Sequence, residues 1–307
     1  GTLKAVKETL NTSLTLKYQR VKMNDTNNIR KKSVIMMLAA AFLWSTSGAA
    51  IKLMTWDSMT LAGIRSLIAG VTILLITRKF KFKMTLRQFA AALAYAASVI
   101  CIVAATKHTT AANAVLLTYT SPIYTALGAH FFLHERITKK DTLSIAVIIV
   151  GLVFFAANGL STGHWFGDIL SALSGLLYAV MLLLMRSECE NEPIVCVTWG
   201  CFMAFIFSLP FMKPVDITTQ NILLIVFLGV FQLGLSYILY ITALKNISVL
   251  EANIITVIEP VLNPVWAYLF VGHELPTVTA TIGGVIIIIG VLIKEISFRN
   301  IHTTKST

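Results

Sequence analysis

Long apolar runs separated by short polar breaks make up nearly all of the chain after residue 32. Each run is close to the roughly 20 residues that an α-helix needs to cross the hydrocarbon core of a bilayer. The runs are continuous, whereas a strand of a membrane β-barrel would alternate apolar and polar residues over about ten positions. Because the loops are short, successive helices should run antiparallel. The pattern predicts an all-α polytopic membrane protein with ten transmembrane helices, at residues 33–54, 58–77, 86–106, 109–132, 141–157, 167–186, 194–212, 220–243, 248–270 and 278–296.

Composition and charge agree with this membrane class. Hydrophobic residues make up 56% of the chain and charged residues 13%, and the mean hydropathy is +0.79; a soluble domain averages about 25% charged residues. Most of the 25 basic residues lie in the N-terminal segment, in alternate loops and in the C-terminal tail. Such a distribution predicts that both termini are cytoplasmic. We expect the protein to lie in the cell (inner or plasma) membrane. It also explains the net charge of +11, so we expect no nucleic-acid partner.

The ends of the chain are polar and are interpreted as tails. Residues 1–32 should form a flexible basic cytoplasmic tail, and residues 297–307 a second cytoplasmic tail. Met23 would make a plausible native start, which leaves open whether residues 1–22 are native. The first apolar run is full length and is expected to act as a signal anchor. The four cysteines form no CxxC pair and are expected to pack in helices, without a metal or a disulfide.

The second half of the chain repeats residues of the first. Superposing residues 105–132 on 243–270 matches the following pairs: Ala105 with Ala243, Lys107 with Lys245, Ala114 with Ala252, Thr118 with Thr256, Pro122 with Pro260 and Phe132 with Phe270. Gly151 then meets Gly290. Similar composition alone is the alternative explanation, but matched Pro and Gly residues favour a repeat. Two five-helix units, 33–157 and 167–296, would insert with opposite orientations, the arrangement that many transporters use for alternating access.

Two segments carry a family resemblance. They read SPIYTALGAHFFLHERITKKDTLSIAVIIVGLVFF and EPVLNPVWAYLFVGHELPTVTATIGGVIIIIGVLI. With a Pro-initiated helix, a His-Glu turn and a Gly-punctuated last helix, they resemble the two copies of the EamA module of the drug/metabolite transporter superfamily. The resemblance spans about residues 33–297 and implies a ten-helix exporter or importer of small metabolites with a central cavity between the halves. The first copy has Ser121 where the second has Glu259.

Two charged residues inside apolar runs are the leading candidates for function. Arg65 lies about two turns inside the second predicted helix, where a cation costs about 2.5–3.5 kcal/mol. It would bind an anionic group of the substrate or pair with Glu259; the alternative is that it snorkels to the outer interface. Glu259 precedes Pro260 near the middle of the ninth predicted helix, where the proline should kink the helix. Glu259 could bind substrate and couple transport to protons, or serve as a structural partner of Arg65.

Aromatic and small polar residues in the same runs could complete a substrate site. Aromatic rings could hold an amphipathic or cationic solute, although helix packing and interfacial belts are the commoner uses of such residues. The candidates are Trp44, Ser47, Tyr95, Asn113, Tyr119, Tyr178, Gln232, Tyr237, Asn253 and Asn263.

Catalytic and metal motifs do not emerge from the sequence. His134-Glu135 and His273-Glu274 lack the second histidine of HExxH, since Thr138 and Thr277 stand there. We therefore expect no enzyme, metal or cofactor, and predict a secondary transporter of a small organic metabolite. On the resemblance, export of an amino acid or related compound comes first, with protons as a possible coupling ion. The alternatives are a nucleotide-sugar or drug carrier of the same superfamily, or a non-transporting membrane receptor or membrane-embedded enzyme.

Overall fold

The computed structural model describes residues 28–79, 83–133, 139–162, 164–188, 193–247, 252, 255–272 and 277–303. Within these ranges the regular secondary structure is helical, with no strand. The helices are α1 (28–45), α2 (Ser47–Leu53), α3 (Ser58–Thr77), α4 (Leu86–His108), α5 (Ala111–Thr118), α6 (Ser121–Leu133), α7 (Lys139–Thr162), α8 (Trp165–Glu188), α9 (Pro193–Ser208), α10 (Thr219–Val226), a π-helix (Phe227–Leu235), α11 (Ser236–Leu244), α12 (Ile258–Phe270) and α13 (Val278–Thr303).

The helices confirm an all-α membrane protein. Six helical stretches are long and apolar enough to cross a membrane, by length and composition: Asn28–Leu53, Ser58–Thr77, Leu86–His108, Trp165–Leu184, Pro193–Phe211 and Thr219–Leu244. Two shorter apolar stretches lie in α7 and α13. Helices occupy all ten predicted ranges at least in part, and the number of membrane crossings stays a prediction.

The predicted fourth helix is not continuous, so the prediction of one helix over 109–132 was wrong. It ends as α5 at Thr118 and resumes as α6 at Ser121, after a turn at Tyr119 and Thr120. The N–H groups of both turn residues donate three residues back, over 3.1 and 3.2 Å. Pro122 is the second residue of α6 and has no N–H to donate to the Thr118 carbonyl, which suits the start of a new helix at this point.

A corresponding interruption occurs in the ninth predicted helix. A turn at Val257 precedes α12, so Glu259 lies in the first turn of this helix rather than at mid-helix. Pro260 therefore does not kink α12 as predicted, because N–H groups in a first turn have no partner within the helix anyway. The proline in the helix interior is Pro264.

The eighth predicted range contains the π-helix between α10 and α11. Its glycines allow close packing on α3: a Cβ at Gly229 would lie 2.6 Å from the Ile68 Cβ and 3.2 Å from the Arg65 carbonyl oxygen. A Cβ at Gly234 would lie 3.1 Å from the Thr72 Cβ. The π-helix is thereby seated against the turn of α3 that carries Arg65. Such segments are rare and often occur at functional sites.

Helix pairs distant in sequence make up the core. α4 packs against α8 and α9, α3 against α9 and the π-helix, and α12 against α5 and α2. α7 and α13 meet through reciprocal contacts: a Cβ at Gly151 would lie 2.7 Å from the Ile287 Cγ1, and one at Gly290 2.5 Å from the Ile148 Cγ1. The same sequence spacing separates the two glycines and the two isoleucines.

Candidate functional site

A cavity of about 330 Å³ lies among the helices. Pockets for small ligands span about 300–1,000 Å³, so this one suits a small molecule. Both halves of the chain contribute to its wall. It collects these candidates from the sequence: Trp44, Ser47, Arg65, Tyr95, Tyr119, Tyr178, Gln232, Tyr237 and Glu259.

One side of the cavity is formed by α3 and the π-helix. Arg65 is only 3% exposed and lines the cavity, so its side chain turns inward rather than toward the outer interface. Its Nε has no hydrogen-bond partner among the described residues. Gln232 of the π-helix is 4% exposed, and its Oε1 likewise lacks a partner there. Since buried polar groups are normally hydrogen-bonded, both side chains are suited to a bound polar group.

Glu259 also lines the cavity, and a tyrosine of the other half of the chain contacts it. The Tyr119 hydroxyl lies 3.0 Å from the Glu259 Oε2 and 2.9 Å from the Thr256 carbonyl oxygen. A phenol has one hydrogen, so it donates to one acceptor at a time. When Glu259 is protonated, its O–H can donate to Tyr119 while Tyr119 donates to Thr256, and both contacts become hydrogen bonds.

Arg65 and Glu259 do not pair with each other. Both residues are described and both line the cavity, yet no ion pair joins them, and the hydrogen-bond partner of the Glu259 carboxyl is Tyr119. The structure therefore does not contain the Arg65–Glu259 pair of the structural alternative.

Aromatic rings form a continuous part of the wall. The Trp44 ring lies 5.2 Å from that of Tyr237 and 5.1 Å from that of Tyr240, and the Tyr95 and Tyr237 centroids are 5.5 Å apart. Such contacts stabilise by about 0.5–1.5 kcal/mol beyond the area they bury. The sequence reasoning missed Tyr240; its position three residues after Tyr237, on the same helical face, is the signal that could have identified it.

Small hydroxyl residues were also missed. Ser98 and Ser174 line the cavity, and each hydroxyl donates to the other residue's carbonyl, over 2.9 and 3.0 Å. These hydrogen bonds join α4 to α8. Serines at helix interfaces carry no distinctive sequence pattern, which is why the sequence did not single them out.

Two predicted site residues lie away from the cavity wall. Asn113 is buried in the first turn of α5, where the Thr110 hydroxyl accepts from its N–H over 3.1 Å. Asn263 is buried in α12, and its Nδ2 donates to the Ser45 carbonyl over 3.0 Å. Neither residue lines the cavity, and the side-chain oxygen of each is buried without a hydrogen-bond partner among the described residues. Asn253 lies outside the described residues, as do the two His-Glu turns.

A hydrogen-bonded loop positions the start of α3. Asp57 caps this helix by accepting from the N–H groups of Met59 and Thr60, over 3.0 and 3.4 Å, and from the Thr60 hydroxyl. Partial burial by itself raises the pKa of Asp57, but these hydrogen bonds, together with the charge of Lys213, hold the pKa below its usual range. The Lys213 N–H donates to the Thr60 hydroxyl over 2.8 Å, which ties this end of α3 to the segment that precedes α10.

Comparison with known proteins identifies similar chains. The model of the EamA-like transporter family matches twice, over residues 31–157 and 165–294. An uncharacterized transporter of Clostridium kluyveri is 25% identical over 301 residues, which cover 90% of this chain and 96% of the relative. The uncharacterized transporter YdfC of Bacillus subtilis is 26% identical, covering 86% of this chain and 92% of its own. A solved crystal structure, 18% identical, superposes with a TM-score of 0.62 over 86% of this chain and 97% of that chain, which shows a shared fold.

Proposed function

Because the chain belongs to the EamA-like transporter family, we propose that it is a secondary transporter that exports a small organic metabolite, an amino acid or a related compound. It works by alternating access between two inverted five-helix halves, in the cell membrane and with both termini cytoplasmic. That the protein is a membrane transporter follows from the family; the substrate, direction, topology and mechanism are the proposal.

The observation that carries the proposal is the position of the cavity at two interrupted helices. The break at Tyr119–Thr120 and the turn at Val257 interrupt the fourth and ninth predicted helices at corresponding positions. Residues at or next to each interruption line the cavity. In transporters built from inverted repeats, interrupted helices in corresponding positions of the two halves mark the binding site. The double match of the family model and the reciprocal Gly151 and Gly290 contacts support the same arrangement.

Glu259 is proposed to couple transport to protons. Its carboxyl lines the cavity, and its contact with Tyr119 can be a hydrogen bond in either protonation state. A carboxyl group in a transmembrane cavity without a cationic partner can take up a proton from one side and release it to the other.

The cavity wall does not favour a nucleotide sugar. A diphosphate would need several cationic contacts, and Arg65 is the basic side chain among the described lining residues. The cavity volume of about 330 Å³ also suits a smaller compound.

Transport in proteoliposomes tests the proposal. Purified protein is reconstituted and screened with labelled amino acids under an imposed proton gradient, and one or more of them should accumulate against its own concentration gradient. Glu259→Gln should abolish gradient-driven accumulation while leaving substrate exchange measurable. The matched control is Asp216→Asn, because Asp216 is exposed in the segment before α10 and does not line the cavity.

Two results would overturn parts of the proposal separately. If no amino acid moves in either direction, the substrate assignment fails. If gradient-driven accumulation is the same in Glu259→Gln as in the wild type, Glu259 does not couple transport to protons.

A further inference from the structure

The π-helix determines which side chains of the eighth predicted range reach the cavity. Gln232 and Tyr237, which are five residues apart in sequence, both line it. In an α-helix, with 3.6 residues per turn, residues five apart point in directions that differ by about 140°. In a π-helix the hydrogen bonds join residues five apart, so such residues lie close to one face. The π-helix at Phe227–Leu235 thereby adds Gln232 to the face that carries Leu233 and Tyr237.

The backbone around Gln232 is held in this register by neighbouring groups. The buried Ser236 hydroxyl lies 2.5 Å from the Gln232 carbonyl oxygen and 3.0 Å from the Leu233 carbonyl oxygen, and it can donate to either. Close packing of Gly229 and Gly234 on α3 also holds the segment. The direction of the Gln232 side chain is therefore set by the backbone rather than by a hydrogen bond of its own oxygen.

The Gln232 side chain presents an acceptor that has no donor. It is 4% exposed, and its Oε1 lacks a hydrogen-bond partner among the described residues. Asn113 and Asn263 also have unpartnered oxygens, but among the described residues that line the cavity Gln232 is the amide. A buried oxygen without a hydrogen bond destabilises a protein, and a flexible apolar side chain such as methionine would fill the same space without that cost. A donor on a bound molecule would satisfy this oxygen.

We infer that Gln232 is a specificity-determining residue of the cavity, whose Oε1 accepts a hydrogen bond from the ammonium group of the substrate. This inference rests on the proposed transport function and assigns the residue that distinguishes a substrate with this group from an analogue without it. A site with a buried acceptor rejects an analogue that lacks the donor, because the acceptor is then left unpaired. An ammonium forms a charge-assisted hydrogen bond, which is stronger than the hydrogen bond of a hydroxyl.

A series of compounds that differ in one substituent tests the inference. Phenylalanine, 3-phenyllactate and 3-phenylpropionate share a benzyl group and a carboxylate, and they carry an ammonium, a hydroxyl or a hydrogen at the same carbon. Isothermal titration calorimetry of the purified full-length protein in detergent should show phenylalanine binding at least about tenfold more tightly than 3-phenylpropionate. The affinity for 3-phenyllactate should lie between these two, since its hydroxyl donates a neutral hydrogen bond.

Variants at position 232 separate recognition from structure. Gln232→Met removes the acceptor and should reduce the preference for phenylalanine over 3-phenylpropionate by about tenfold, while 3-phenylpropionate binds as it does to the wild type. Gln232→Glu retains an acceptor and should keep or raise the preference. The matched control is Gln220→Met, because Gln220 is exposed in the first turn of α10 and does not line the cavity; it should keep the wild-type ranking.

The inference is overturned if Gln232→Met weakens the binding of all three compounds equally, since the residue would then act on structure alone. An unchanged preference in this variant would overturn it as well, because another residue would recognise the ammonium. Wild-type protein that binds 3-phenylpropionate as tightly as phenylalanine, or that binds none of the three compounds, decides against it even when a variant fails to fold. Each of these results leaves the proposed transport function to its own proteoliposome test, which covers other amino acids and measures movement rather than recognition at Gln232.

Discussion

Replacement of Gly151 by alanine tests a close helix contact between the two halves. A Cβ at this position would lie 2.7 Å from the Ile287 Cγ1 and 2.8 Å from the Gly283 carbonyl oxygen. Side-chain rotation relieves neither contact, because a β-branched isoleucine has one strongly preferred χ1 rotamer in a helix and the oxygen belongs to the backbone of α13. The helices must therefore move apart, and overpacking of this kind costs about 1–3 kcal/mol.

Separation of α7 and α13 also weakens a second contact on the same pair of helices. The Ser144 hydroxyl donates to the Gly290 carbonyl over 2.6 Å, and loss of such a hydrogen bond costs about 0.5–1.5 kcal/mol. Gly151→Ala is therefore expected to destabilise the protein by about 1.5–4.5 kcal/mol. The measurement is thermal unfolding of the purified protein in detergent, followed by tryptophan fluorescence and by the loss of the monodisperse peak in size-exclusion chromatography.

Gly128→Ala is the matched control. A Cβ at Gly128 would lie 2.3 Å from the Leu183 Cδ1, and the other neighbouring atoms are at 3.6 Å or more. That methyl is the far end of a flexible side chain facing the apolar groove between α6 and α8, so rotation relieves the contact at a cost below about 1 kcal/mol. A wild-type melting temperature for Gly151→Ala, or a lower melting temperature for Gly128→Ala than for Gly151→Ala, would refute the reasoning.

Two further substitutions test the site and its support. Asp57→Ala should lower stability by about 0.5–2 kcal/mol through loss of the α3 cap. Since the folded-state pKa of Asp57 is lowered, the stabilisation by its carboxylate is present above the unfolded-state pKa and is lost as the pH falls through the folded-state pKa. Acidification from about pH 6 to pH 3 should therefore lower the melting temperature of the wild type more than that of the variant. Equal acid sensitivity would contradict this. Tyr119→Phe removes the hydroxyl that lies 3.0 Å from the Glu259 carboxyl. It should lower stability by about 1–3 kcal/mol and slow proton-driven transport in proteoliposomes. Unchanged transport rates would show that this hydroxyl plays no part in coupling.

The interrupted helices show where sequence reasoning reached its limit. Pro122 and Pro260 are visible as matched prolines, but hydropathy continues across both, so the sequence predicted continuous helices. The break at Tyr119–Thr120 shows in backbone hydrogen bonds to residues three positions back, and the one at Val257 in a turn before α12; hydropathy reports neither. The π-helix escaped prediction for the same reason, since its residues are as apolar as those of a normal span.

The candidate site residues also divide into those that the sequence identifies and those whose position only the structure shows. Arg65 and Glu259 stood out because a charge inside an apolar run is costly and needs a reason. Glu259 and Asn263, one turn apart on α12, could not be told apart by spacing. The structure brings Glu259 to the cavity and Asn263 to the Ser45 carbonyl, because helices distant in sequence decide which part of α12 meets the cavity and which meets α2.

The sequence by itself determined that this protein is a helical membrane protein of the EamA-like family, since apolar runs long enough for a bilayer and a repeated Pro and Gly pattern are local properties of the chain. It also identified the two charges on which function should depend. Only the tertiary structure decided that Arg65 and Glu259 line one cavity from different helices without pairing. Whether two buried charges meet depends on the rotation and separation of their helices. Packing sets both, at contacts such as that of Gly229 in the π-helix with α3 and that of Gly151 in α7 with α13.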